Sequence, residues 1–293
     1  MGSFAGHVIP GMFLALFSYF FSFHFIKQQV DKTPESNEES DVELQNVRSD
    51  GNVAERDAPS STISLGGLDE VFLGHPKALV LVIIATVVGC LVEFPGLTPV
   101  SAGPETGITH ISLYSGYAIW GIVCLAQKKG LLPELSGTSF FALLNLLVGM
   151  GWSSHAEMKP KHSESHVHHL AASVAYLTAT AAAGSLVSDK LPKLGRASSF
   201  VSLAAQMIHG TWLMSIGQMF YSWRKPADPT GYPVEHYQIV RAFYVNIYIV
   251  LTLMAATYIA LKRYRKSKRV TYAAVSAGSE TPTGIREEEK SNL

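Results

Sequence analysis

Seven long apolar stretches, separated by shorter polar segments, organise the sequence. They cover residues 8–26, 78–94, 106–127, 140–154, 167–187, 200–221 and 239–261. A helix that crosses the ~30 Å hydrocarbon core of a bilayer needs roughly 20 residues at about 1.5 Å each. Five of the stretches fit this length, and we expect the second and fourth to extend into their flanks. Because only helices satisfy every backbone group of a lipid-exposed span within one segment, the pattern predicts an all-α, seven-transmembrane helix bundle.

The charged residues are concentrated outside these stretches. Only 16% of the 293 residues are Asp, Glu, Lys or Arg, and much of that charge lies in 31–70 and 264–293. A soluble domain would distribute charge along the chain, because its surface must face water. The formal net charge is zero and no zinc-finger, helicase or phosphate-loop spacing is present, so nothing indicates nucleic-acid binding. We expect a multi-pass integral membrane protein of an endomembrane or the plasma membrane, in contact with membrane lipids.

The basic residues predict an orientation. With seven spans, the C-terminus shares a side with the first, third and fifth connections, and this side carries the basic run 262–269. The opposite side has few basic residues: Lys159, Lys161, Arg224, Lys225 and Arg241. By the positive-inside rule, the C-terminus is cytoplasmic and the N-terminus luminal or extracellular.

Four segments follow from this reading. Residues 1–30 form the first transmembrane helix with a short outer N-terminus, and 71–265 form the other six helices of the bundle. Residues 31–70 are acidic, rich in Ser and Asn and nearly free of aromatics, which predicts a disordered cytoplasmic loop. Residues 266–293 are predicted to form a disordered cytoplasmic tail. The loop and the tail are the expected contact points for any protein partner.

Histidines from several predicted helices fall at the outer end of the bundle. His110 opens the third stretch, His155 closes the fourth, and His209 lies inside the sixth. His162, His166, His168 and His169 lead into the fifth. The spacing of 162, 166 and 169 places those three on one helical face, whereas 166 and 168 point in roughly opposite directions.

This layer is a candidate metal site. Imidazole suits zinc, copper, iron and nickel, and three protein ligands with one open position are typical of a catalytic zinc. The candidate ligands are His110, His155, His166, His168 and His209, with zinc as the candidate metal. The competing interpretation is that these histidines only pack, snorkel at the interface or lie in a wet loop. No His-Glu-x-x-His helix is present to decide between them.

Short motifs through the chain resemble the transmembrane protein 45 family, a group of eukaryotic multi-pass proteins of unknown biochemical function. The motifs are Gly6-His7, Pro10-Gly11, His110 to Tyr114, Gly149 with His155, Glu164 to His168, Gly210-Thr211-Trp212 and Ile216-Gly217. The resemblance covers about residues 1–265 and favours His166 with His168. The chain departs from the family pattern at Val148, where the family typically has Glu, and at His209, where it typically has Gln.

Two classes of function remain open. No general base or nucleophile can be named, which favours a non-enzymatic membrane protein such as a transporter, receptor-like scaffold or trafficking factor. The alternative is a zinc-dependent membrane hydrolase that acts on a lipid-like substrate. A haem protein is a third option, and it requires histidine pairs that face each other across the bundle.

Overall fold

Every regular element in the described part of the chain is an α-helix. The computed structural model describes residues 4–32, 67–94, 104–132, 136–159, 162–221 and 236–278. The helices are α1 (Phe4–Lys32), α2 (Leu68–Gly74), α3 (Pro76–Glu93), α4 (Pro104–Lys128), α5 (Gly137–Glu157), α6 (His162–Ser185), α7 (Pro192–Tyr221) and α8 (His236–Gly278). The all-α class is confirmed, and each of the seven apolar stretches lies almost entirely within one long helix.

Three of the described helices are long and apolar enough to cross a membrane. They are Gly6–Lys32, Pro76–Glu93 and His236–Lys268. The helices α4 to α7 contain many Ser, Thr, Gly and His residues, which lower their average hydropathy. The chain therefore has membrane-crossing character by length and composition in α1, α3 and α8.

Two glycines allow α1 and α7 to cross in close contact. A Cβ atom added at Gly11 would lie 2.6 Å from the carbonyl oxygen of Gly210. Such small residues let two helix backbones approach directly, as in membrane helix pairs. The crossing fixes the N-terminal half of α1, which carries His7 one turn earlier, beside α7. We call this end of the bundle the outer end and the opposite end the inner end, after the orientation predicted from the basic residues.

An aromatic cluster fills the opposite end of the bundle. The Phe72 ring lies 5.2 Å from Phe21, 4.9 Å from Trp120 and 5.4 Å from Phe141, measured between centroids. The edge-to-face orientation of these pairs is the one that the ring quadrupoles favour. Phe72 belongs to the short helix α2, so α2 closes the inner end of the core.

The ordered structure differs from the predicted segment boundaries at two points. Helix α2 begins at Leu68, inside the segment 31–70 that we predicted as a disordered loop, and the buried side chain of Asp69 caps α5. The Asp69 carboxylate accepts hydrogen bonds from the Thr138 backbone N–H at 2.7 Å and the Ser136 hydroxyl at 2.7 Å. Helix α8 continues to Gly278, past the predicted start of the tail at 266. Residues 33–66 and 279–293 lie outside the described residues.

Candidate histidine site

Four buried histidines, each from a different helix, meet at the outer end of the bundle. We call His7 of α1, His110 of α4, His155 of α5 and His168 of α6 the histidine quartet; none is more than 2% exposed. Neighbouring ring centroids are 5.8 Å apart for His7–His110, 5.9 Å for His110–His155, 5.0 Å for His155–His168 and 5.7 Å for His168–His7. The four imidazoles therefore form a closed ring around a common centre.

The indole of Trp152 packs against all four members of the quartet. Its ring centroid lies between 5.5 and 6.4 Å from each of the four imidazoles, and 6.3 Å from His209. Trp152 is itself 4% exposed. It contacts both the quartet and His209.

A proline in the first helix shapes the backbone next to His7. Pro10 lies inside α1 and has no N–H, so the helix cannot form the usual bond to the Gly6 carbonyl. The Tyr114 hydroxyl of α4 donates to that carbonyl at 3.4 Å. This contact joins the outer ends of α1 and α4, which carry two of the four histidines.

Two hydrogen bonds set the position and the tautomer of His168. The indole N–H of Trp212 in α7 donates to the Val167 carbonyl at 3.0 Å, which fixes the start of α6. The His168 Nδ1–H donates to the Glu164 carbonyl at 2.6 Å. Nε2 of His168 is then the unprotonated nitrogen, and it lies 3.5 Å from Nε2 of His7.

A buried carboxylate, that of Glu93, lies next to His110. An oxygen of Glu93, at the end of α3, lies 3.4 Å from His110 Nδ1, and both side chains are almost fully buried. The pair is within ion-pair distance but lacks the alignment of a hydrogen bond. Among the described residues, no hydrogen-bond partner is found for that Glu93 oxygen, for either ring nitrogen of His110 or for either of His155. Leaving a buried polar atom without a partner costs about 1–3 kcal/mol.

The quartet contains three of the five predicted ligands. His110, His155 and His168 come together, and His7 takes the fourth place although the sequence analysis did not include it among the ligands. Within the described ranges, no group of three or more His, Cys, Asp or Glu side chains is arranged to hold a metal ion as it stands. Metal binding by the quartet would therefore require the rings to turn about their side-chain torsions.

His166 lies outside the quartet, contrary to its place in the predicted ligand set. Its ring packs against His236 of α8, with centroids 4.2 Å apart. Residues 166 and 168 differ by two positions and so face different sides of α6, and only His168 faces the bundle centre.

An apolar cavity lies next to the quartet, and Trp152 is part of its lining. Its walls come mainly from α1, α3, α4 and α7, and most of its lining side chains are aliphatic or aromatic. The polar side chains of Glu93, Gln206 and His209 contribute to the lining. His209, predicted as a ligand, thus lines this cavity and not the quartet. Val148, the other departure from the family pattern, lines it as well.

Among known proteins, no family model and no curated sequence matches this chain.

Proposed function

We propose that this chain is a multi-pass membrane protein with seven spans, whose outer-half histidine quartet binds a transition-metal ion. The seven spans are α1 and α3 to α8, with the N-terminus luminal or extracellular and the C-terminus cytoplasmic. Large apolar side chains on the bundle exterior support the membrane setting: Leu81 is 58% exposed, Ile84 54% and Ile249 58%. Such continuous apolar exteriors are unusual in soluble monomers, whereas lipid favours them.

The quartet itself is the observation that carries the metal assignment. Within the described residues, no hydrogen-bond partner is found for either ring nitrogen of His110 or of His155, and a buried polar atom without a partner loses its hydration. A metal ion among the four rings would accept a lone pair from both of these imidazoles. Ligand nitrogens about 2.0–2.1 Å from a tetrahedral ion lie about 3.4 Å apart, close to the 3.5 Å between Nε2 of His7 and Nε2 of His168.

The surroundings of two quartet members match the outer shell of a metal site. Metal-binding histidines commonly donate their second ring N–H to a carbonyl or carboxylate, which orients the ring. His168 donates to the Glu164 carbonyl, and His110 faces the Glu93 carboxylate. In both cases the oxygen lies on Nδ1, so that Nε2 is the nitrogen available to a metal.

The number of ligands favours a binding or structural centre over a hydrolase. Four imidazoles complete the tetrahedral coordination of zinc, whereas catalytic zinc keeps one position open for water. Copper, iron and nickel also accept imidazole, and the identity of the metal is part of the experiment. The proposal is accordingly a non-enzymatic, metal-binding membrane protein.

Metal analysis of the purified protein tests the proposal. Wild type extracted from membranes in mild detergent should contain about one zinc, copper, iron or nickel ion per chain. His155→Ala and His168→Ala should lose it, and a chelator should lower the melting temperature of wild type but not of these two variants. His166→Ala is the matched control, because it lies on the same helix as His168 but outside the quartet. Metal-free wild type whose stability equals that of the quartet variants would overturn the proposal.

A further inference from the structure

The cavity beside the quartet has the length of a lipid chain in one leaflet. Along α1 its lining runs from Ile9 to Phe21, which is 13 residues and about 18 Å of helix. One leaflet contributes about half of the ~30 Å hydrocarbon core, roughly the same length.

The lining of the cavity is mainly apolar, and it includes three buried polar side chains. Phe21, Phe72 and Trp120 surround the inner end. Glu93 lies against His110, His209, which is 1% exposed, lies near Trp152, and Gln206, which is 3% exposed, contacts Tyr117. The cavity thus has the polarity of an amphipathic ligand.

Several polar atoms of these side chains lack a partner in the described part of the protein. They are both ring nitrogens of His209, the amide oxygen of Gln206 and one oxygen of Glu93. The Gln206 amide nitrogen is already used, because it donates to the Tyr117 hydroxyl at 2.8 Å. The remaining acceptors are the Gln206 amide oxygen, one Glu93 oxygen and one His209 ring nitrogen, and the other His209 nitrogen is a donor. This combination suits a ligand group, such as a hydroxyl, that can both donate and accept a hydrogen bond.

The charges of the cavity lining indicate which kind of lipid head group could bind there. Among the described lining residues there is no Lys or Arg, and Glu93 contributes a carboxylate. An anionic head group would therefore meet a like charge and find no cation. We propose that the cavity binds one chain of a membrane lipid with an uncharged, hydroxyl-bearing head, and that the hydroxyl bonds to Gln206 and His209. This binding does not depend on the presence of a metal in the quartet.

Photolabelling in vesicles tests the site directly. Protein reconstituted in phosphatidylcholine vesicles is irradiated with a long-chain fatty alcohol that carries a diazirine and an alkyne. Wild type should be labelled saturably on α1, α3 or α4, and excess unlabelled alcohol should compete. Ala85→Phe places a ring in the cavity and should reduce saturable labelling by at least about tenfold, because a packed interior has no room for both groups. Val88→Phe is the control, since Val88 is on the same helix but 47% exposed.

Two further readouts separate this proposal from a folding defect and from the metal assignment. His209→Leu should leave the cavity apolar and intact but weaken competition by the alcohol about three- to tenfold, the effect of one hydrogen bond. Elution profile, melting temperature and metal content are recorded for each variant, and Ala85→Phe should match wild type in all three. Metal-free wild type that is still labelled saturably would contradict only the quartet proposal.

The lipid proposal fails on any of three results. Labelling that does not saturate would indicate contact with bulk lipid only. Equal labelling of wild type and Ala85→Phe would place the lipid elsewhere. Competition by the corresponding fatty acid as strong as that by the alcohol would contradict an uncharged head group.

Discussion

The contact between α1 and α7 can be tested with a single methyl group. In Gly11→Ala, the added Cβ would lie 2.6 Å from the Gly210 carbonyl oxygen, 2.8 Å from the Met214 backbone nitrogen and 2.9 Å from Met214 Cγ. Ordinary contact begins near 3.4 Å, so the helices must separate by about 0.8 Å at this point. Two of the three atoms belong to the backbone, and a rotamer change cannot remove those contacts.

Overpacking of this kind costs about 1–3 kcal/mol, and we expect the upper end because the backbone must move. For a domain of this size that corresponds to roughly a 6–12 °C fall in melting temperature, at about 2–4 °C per kcal/mol. Thermal unfolding in detergent, followed by tryptophan fluorescence or by size exclusion, measures the change. Gly74→Ala is the control, because its Cβ would meet nothing within 4 Å. A melting temperature of Gly11→Ala within about 2 °C of the control would refute the close crossing.

Two further predictions concern the Asp69 cap of α5 and the Glu93 carboxylate. Asp69→Asn removes the charge that caps α5 and should destabilise the protein by about 1–3 kcal/mol, seen as a lower melting temperature. Glu93→Gln should leave the fold intact and weaken metal binding by the quartet about 10–100-fold in competition with a chelator, because His110 loses its charged neighbour.

The helices could be predicted from the sequence because they depend on local composition. Each apolar stretch was long and continuous, and each became a helix. Asp69 shows the limit of that reasoning: its neighbours are acidic and polar, which predicted disorder, but its hydrogen-bond partner Thr138 is 69 residues away in sequence. A contact at that separation leaves no trace in local composition.

The choice among the histidines of α6 depended on a signal that the prediction did not use. His168 shares a face with Ala171, Ala172 and Ala175, at spacings of three, four and seven residues. All three alanines are buried, with exposures of 0–2%, because small residues allow neighbouring helices to approach. Had the small-residue face been used to orient α6, it would have selected His168 and excluded His166.

The same rule accounts for His7. It precedes Gly11 by four residues on α1, and Gly11 lies in the close crossing with α7. A histidine one turn from a small residue at a helix crossing is thus directed into the bundle. His110 and His155 have no such marker, and their meeting depends on the packing of α4 against α5.

Both proposed sites contain buried polar atoms that lack a hydrogen-bond partner in the described residues. Eight polar atoms without a partner in the described residues lie around Trp152, on Glu93, His110, His155, Gln206 and His209. Even at about 1 kcal/mol each, they would cost as much as the roughly 5–15 kcal/mol by which a typical domain is stable. A metal ion in the quartet would satisfy His110 and His155, whereas His209 and Gln206 line the cavity. A lipid hydroxyl in the cavity would satisfy the latter and leave the quartet unchanged. The burial of both groups therefore favours two separate occupants, a cation within the quartet and a neutral polar head in the cavity.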